Sequence, residues 1–213
     1  DAVPVAYLTG CKEFFGLPLQ VAARVLDPRP VTEILVEWAL EHMAPHTPCR
    51  VADLGTGSGA IALALQHQRP QASVTAVDVS ADALAVAQTN AQRLQLPVRF
   101  IQSAWLSRVD GVFDLIVSNP PYIRQDDPHM AALRHEPRQA LTSGADGLDD
   151  IRTIAAQAPA HLHPGGWLLL EHGWDQAEAV QTLLRQTGFA HVSSRQDLAG
   201  QWRCTGGQWL NQN

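Results

Sequence analysis

The chain has 213 residues, 46% hydrophobic and 17% charged, and its 21 Asp and Glu outnumber 15 Lys and Arg to leave a formal charge of −6. These proportions exclude a disordered chain, which combines low hydrophobicity with high net charge, and the length points to one main domain with its own core. The negative charge argues against sequence-independent binding to nucleic acid, which needs a field that attracts phosphate.

Lys12 is the one lysine, and the arginines are scattered rather than gathered into a basic run. The longest apolar stretch, about 60–65, is far short of the ~20 residues that cross a bilayer, and the start at Asp1 has no basic head leading into an apolar segment. No membrane partner is expected. Cys11, Cys49 and Cys204 are far apart with no CxxC, which suits a reducing compartment such as the cytoplasm and gives no zinc site. His161-x-His163, just before Pro164-Gly165-Gly166, reads as a helix end rather than a metal site.

Taken in chain order, residues 13–21 read as two short strands around a Gly/Pro turn. Pro30 precedes a helical pattern over 32–40. A regular alternation then begins, with strands over 50–54, 73–78, 98–102 and 113–118. Helices over 60–67 and 81–94 fall between the first three, the second opened by Ser80 as N-cap. A helix over 148–161, a strand over 167–171 and a helix over 176–187 follow. Such alternation means βαβ units and a parallel sheet with right-handed crossovers. The last two strands, 191–195 and 202–210, are joined by too few residues for a helical crossover, so they must pair antiparallel.

Two motifs carry chemistry. Asp53-x-Gly55-Thr56-Gly57-Ser58-Gly59 lies on a strand-to-helix turn, and Asp78 ends the next strand. Glycines let the backbone approach a ligand, the helix start offers free N–H groups, and an acid at that strand end can accept both hydroxyls of a ribose. This predicts a nucleoside cofactor. Gly55-x-Gly57-x-x-Ala60 also fits the dinucleotide pattern, so NAD and an oxidoreductase stay open. Two features favour S-adenosylmethionine. Asp53 suits a cationic amino-acid tail better than a pyrophosphate, and no second mononucleotide-binding half follows.

The second motif is Asn119-Pro120-Pro121-Tyr122 at the end of strand 113–118, where ligands of open parallel sheets bind. The prolines stiffen the backbone and remove two donors while leaving carbonyls free to accept. The Asn119 side-chain oxygen and the Pro120 carbonyl can therefore hold both hydrogens of a planar –NH₂ group, with the Tyr122 ring packed on its π-system.

Asn-Pro-Pro-Tyr at this place resembles class I methyltransferases that act on amide or amino nitrogens. Further segments are similar to the release factor glutamine methyltransferases: Tyr7 to Gly10, Glu13 to Leu19, Pro28-Arg29-Pro30-x-Thr32-Glu33, Asp53 to Ala62, Glu136-Pro137-x-x-Ala140-Leu141 and Leu168 to Trp174. The resemblance implies a Rossmann-like α/β fold, a mostly parallel seven-stranded sheet with an antiparallel C-terminal hairpin and a short β-hairpin in front. It implies S-adenosylmethionine as cofactor, bound by Asp53, Gly55, Thr56, Gly57, Ser58, Gly59, Asp78, Trp105 and Asn119. It implies catalysis by Asn119, Pro120 and Tyr122, with Pro121 joining them in binding substrate. The implied partner is a bacterial peptide chain release factor, through the glutamine of its Gly-Gly-Gln motif. Residues 1–28 are then the hairpin and linker from an N-terminal helical domain not in this chain, and 29–213 the catalytic domain. The family usually has an acid before the tryptophan matching Trp105, where this chain has Ala104, and the loop between Asp127 and Glu136 looks short. An adenine-N6 methyltransferase is the alternative, and the −6 charge counts against it. The chain's own Gly206-Gly207-Gln208 falls in the last predicted strand and is not expected to act as a release-factor loop.

Overall fold

A computed structural model describes residues 5–23, 25–133 and 135–210; the first four residues of the expected leading segment lie outside these. A short helix α1 (Val5–Thr9), which the sequence reading did not anticipate, leads into an antiparallel hairpin, β1 (Cys11–Phe14) and β2 (Leu17–Gln20). The main α/β unit follows as α2 (Glu33–Glu41), β3 (Arg50–Leu54), α3 (Ala60–Gln68), β4 (Ser73–Asp78), α4 (Ala81–Leu94), β5 (Arg99–Gln102) and β6 (Phe113–Ser118). It ends with α5 (Asp149–Gln157), β7 (Leu162–Glu171), α6 (Ala177–Thr187), β8 (Ala190–Gln196) and β9 (Trp202–Gln208).

The seven strands run in the order β5-β4-β3-β6-β7-β9-β8, with β9 antiparallel to both of its neighbours. The chain steps outward from β3 through β4 to β5, then returns to lay β6 on the other side of β3. That reversal opens a crevice at the carboxyl ends of β3 and β6, the usual ligand position in an open α/β sheet.

Both faces of the sheet are covered, so the central strands are apolar throughout rather than alternating. Val51, Leu115, Val117 and Leu169 pack against α2 and α3 on one face. Ala52, Leu54, Ile116, Leu168 and Leu170 pack against α5 and α6 on the other. Ser80 caps α4 as expected, its Oγ accepting from the Ala83 N–H at 3.2 Å. The leading hairpin is tied in by the buried Asn90 of α4. That side chain accepts from the Gln20 N–H at 2.7 Å and donates to the carbonyls of Gln20 and Ser58.

Two boundaries differ from the sequence reading by more than two residues. The helix expected over 148–161 is α-helical only to Gln157 and continues as a 3-10 turn over Ala158–His161, because Pro159 has no N–H for the next α-helical bond. β7 begins at Leu162, ahead of the expected 167, and a register irregularity in its pairing with β6 absorbs the Pro-Gly-Gly segment. Gly206-Gly207-Gln208 lies inside β9, paired with β7 and with both glycines buried. No helix among the described residues is long and apolar enough to cross a membrane.

Candidate active site

The turn after β3 is built from inside. Asp53 is completely buried, and its Oδ2 accepts from the Thr56 hydroxyl at 2.7 Å and from the Ala62 N–H at 3.1 Å. Burial raises the Asp53 carboxyl to about 7, offset in part by those two hydrogen bonds. The N–H groups of Gly55 and Thr56 both donate to the Val77 carbonyl at 2.8 and 2.9 Å, laying the turn against the end of β4. Gly57 N–H donates to Asp78 Oδ2 and Ser80 N–H to Asp78 Oδ1, each at 2.9 Å. Asp78 therefore has both oxygens anchored by backbone. Burial raises its pKa.

Trp105 crosses this turn. Gly55 has φ +70°, and a Cβ added there would stand 3.2 Å from Trp105 Cζ3, so only the bare backbone leaves room for the indole. The indole N–H donates to Asp150 Oδ1 at 3.1 Å, in the first turn of α5.

The acceptor side begins where β6 ends. Ser118 Oγ donates to the Leu54 carbonyl at 2.7 Å, which fixes the ends of β3 and β6 level with each other. Asn119 Nδ2 donates to Thr32 Oγ1 at 3.2 Å. The Tyr122 hydroxyl donates to Glu171 Oε1 at 3.3 Å, and its backbone carbonyl accepts from Gln176 Nε2 at 3.0 Å. Glu171, at the carboxyl end of β7, is fully buried. Burial raises it to about 7, and hydrogen bonds from Thr32 and Tyr122 together with the charges of Arg203 and Arg29 pull it partly back. Arg29 pairs with buried Glu136 to hold the loop before Pro137.

One cavity of about 370 Å³ joins the two sides, within the range of small-molecule sites. Of the residues singled out from sequence, Gly55, Gly57, Asp78, Trp105, Asn119 and Pro121 line it. Asp53, Thr56, Ser58, Gly59, Pro120 and Tyr122 do not. Asp53 and Thr56 brace the turn from beneath, and the Tyr122 phenol is aimed at Glu171 rather than into the cavity.

Ala104 also lines the cavity, and so does Asp150, which sequence reasoning passed over. Its signal was an acidic pair, Asp149-Asp150, opening a helix. Thr32 and Glu171 were also given no role, although Glu171 is a carboxylate closing the buried run Leu168 to Leu170 at a strand end where ligands bind. The expected loop 127–136 contains a 3-10 turn, Pro128–Leu133.

The residues present fit S-adenosylmethionine. Asp78 offers two anchored oxygens to a ribose, Trp105 lines the same cavity as a surface for a purine, and glycine at 55 leaves the Trp105 ring its place.

Residues 30–193 match the methyltransferase small domain family. The release factor glutamine methyltransferase of Yersinia pestis is 52% identical over 209 residues, covering 97% of this chain and 75% of that protein. This chain belongs to the release factor glutamine methyltransferase family. Its counterpart in Pseudomonas aeruginosa is 54% identical over 210 residues, covering 97% of this chain and 76% of the relative. The crystal structure of the release-factor-specific protein-(glutamine-N5) methyltransferase from Alicyclobacillus acidocaldarius superposes with a TM-score of 0.54 at 34% identity, over 86% of this chain and 94% of that one. For a family member, the cavity between the β3 turn and Asn119 is the place to look for the reaction.

Proposed function

We propose that this enzyme methylates the side-chain amide nitrogen of the glutamine in the Gly-Gly-Gln loop of bacterial release factors, with S-adenosylmethionine as donor and Asn119 and Pro120 holding the amide. The observation that carries this is the position of Asn119. It lines the same cavity as Asp78 and Trp105, and its Nδ2 is committed to Thr32, which leaves Oδ1 to accept from a substrate –NH₂.

Bound in the cavity, S-adenosylmethionine supplies a methyl group on a positively charged sulfur. An amide nitrogen is a poor nucleophile because its lone pair is delocalised into the carbonyl. Asn119 Oδ1 and the Pro120 carbonyl hold its two hydrogens, which fixes the nitrogen and favours the positive charge developing on it. Transfer would replace the S–C bond by an N–C bond and leave S-adenosylhomocysteine, and the methylated nitrogen would release one proton to solvent. No strong base is required before transfer.

Incubating the protein with a purified release factor and S-adenosylmethionine, followed by mass spectrometry, should place one methyl group on the Gly-Gly-Gln glutamine. Duplex DNA in the same assay should gain none. An unmodified release factor, with the cofactor demonstrably bound, would overturn this reading, and methylated adenine would put the nucleic-acid alternative in its place.

A further inference from the structure

Pro120 and Pro121 have no backbone N–H, so the segment proposed to hold the substrate amide gains no anchor from donors of its own there. It is fixed at its two ends instead. Before it, Ser118 Oγ donates to the Leu54 carbonyl at 2.7 Å. After it, the Tyr122 carbonyl accepts from Gln176 Nε2 at 3.0 Å, across 54 positions.

Gln176 is buried at the start of α6. Its Oε1 accepts from the Gly173 N–H at 2.7 Å, and Nε2 also donates to the Asp146 carbonyl at 3.3 Å. An N–H at one end and two carbonyls at the other leave this carboxamide one way round. It joins the turn after β7, the loop before α5 and the end of the Asn-Pro-Pro-Tyr run. Closing the local turn would need only the Gly173 bond, whereas the Nε2 bonds reach across 54 and 30 positions.

Gly147 shows how closely these segments meet. Its φ is +79°, and a Cβ added there would collide with both the Tyr122 carbonyl and Gln176 Nε2. Ile123 extends the docking. Its N–H donates to the Leu141 carbonyl and its carbonyl accepts from the Ser143 N–H, each at 2.9 Å. We infer that Gln176 is a positioning residue for the methyl transfer, clamping the Tyr122 carbonyl so that Asn119 and the Pro120 carbonyl keep the direction that meets the substrate amide. This rests on the reading of the cavity as a glutamine methyltransferase site and adds a residue to it.

Gln176→Glu keeps the shape and the acceptor for the Gly173 N–H. Ionised, it sets an oxygen against the Tyr122 and Asp146 carbonyls in place of a donor. Its kcat, counted per cofactor-binding site, should fall up to ~10²-fold, as for a small misplacement of a reacting group. Affinity for S-adenosylhomocysteine should be nearly kept, because the fully buried Ile151 and Ile154 hold α5 in the core independently. Protonation returns one donor to the new side chain, so kcat of Gln176→Glu relative to wild type should rise as pH falls. The ionisable groups on the elements around position 176 are Asp146 with its partner Arg152, Glu171, His172 and Asp175 before α6, and Arg203 on β9. Taking the ratio to wild type at each pH removes their own titration. Gln176→Leu, which cannot regain a donor, should stay slow at every pH. A role in stability alone would move Tm and leave these turnover ratios unchanged.

Hydrogen exchange in the S-adenosylhomocysteine-loaded protein without release factor reads the clamp directly. The N–H groups of Ile123 and Ser143 should exchange faster in Gln176→Leu, while those of Gly55 and Thr56, bonded to the Val77 carbonyl, keep wild-type protection. Wild-type kcat or wild-type exchange at Ile123 and Ser143 in Gln176→Leu would overturn the proposal. So would a Gln176→Glu ratio that stays flat across pH, which decides the matter if Gln176→Leu does not fold. If the wild type methylates no release factor while the exchange pattern holds, the assigned function falls and the clamp stands.

Discussion

On the donor side of the cavity, Asp78 receives the Gly57 N–H from 21 positions away, and Asp53 receives the Thr56 hydroxyl from three. On the acceptor side, Asn119 leans on Thr32 across 87 positions, Tyr122 on Glu171 across 49, and Arg29 on Glu136 across 107. One wall is a local turn that two adjacent strands complete, with one long-range tie, Trp105 to Asp150 across 45 positions. The other needs the whole sheet in register before its side chains meet. Substitutions on the donor wall should therefore be read as changes in cofactor affinity, and those on the acceptor wall as changes in turnover.

The sharpest test of that division is Asn119→Ala. It removes the proposed acceptor of the substrate amide and should lower kcat ~10²-fold, the scale of losing one preorganised transition-state partner, while S-adenosylhomocysteine still binds. Steady-state turnover with bound release factor measures it. Wild-type turnover would break the division outright.

Asp78→Ala is the matching test on the donor wall. The carboxylate anchors the turn through Gly57 and the start of α4 through Ser80, and Asp78 lines the cavity. Affinity for S-adenosylhomocysteine by calorimetry should weaken roughly 10- to 100-fold, as for one or two hydrogen bonds to a charged group, with kcat at saturating cofactor nearly kept. A variant that binds normally but turns over slowly would reverse the assignment of the two walls.

The same contrast explains what could be read from the sequence. Asp53 to Gly59 and Asp78 were legible because strand, glycine turn, helix and acid follow one another within one βαβ unit, and each boundary from 50 to 94 falls within a residue of expectation. Asn119 to Tyr122 were legible as a motif at a strand end. Their supports were not. Thr32 lies in a 3-10 turn before α2 and Glu171 at the end of β7, and nothing in local spacing says that one takes the Asn119 amide and the other the Tyr122 hydroxyl. Tyr122 illustrates the cost: its ring was read as a platform for the substrate, yet its hydroxyl is directed at a carboxylate 49 positions on.

Buried carboxylates sit under both walls, and pH should distinguish them by variant. Burial raises Asp53 from an ordinary 3.8 to about 7. The native state then binds that proton more tightly than the unfolded chain, so the stabilisation is full below about 3.8 and is lost as pH rises through about 7. Glu171, raised from 4.5 to about 7, has the same sign. His42 and His172, lowered by burial, have the opposite sign, their contribution being lost as pH falls below 6.5. Comparing wild type with Asp53→Asn cancels every group but one. Between pH 8 and pH 5 the wild type should gain on the variant on the order of 2 kcal/mol, several degrees in Tm for a chain of this length. Parallel Tm curves would mean that Asp53 stays ionised throughout.

The smallest effect tests how closely the turn is fitted to the indole. Gly55 and Gly57 both have left-handed backbone, φ +70° and +56°, so an alanine at either should cost about 1 kcal/mol in strain. They differ in what the new methyl meets. At Gly57 there is nothing within 4 Å, whereas at Gly55 the methyl stands 3.2 Å from the Trp105 ring. Trp105 is tethered to Asp150 through its N–H, so the ring can yield only by straining that bond. Both residues line the cavity, so both variants should lower Tm and weaken S-adenosylhomocysteine binding, Gly55→Ala several-fold more because its methyl also presses on the ring. Turnover at saturating cofactor should change in neither, because both methyls fall on the donor wall. Equal binding by the two variants would mean that the indole is free to move aside, and that the donor wall is less rigid than its local hydrogen bonds imply.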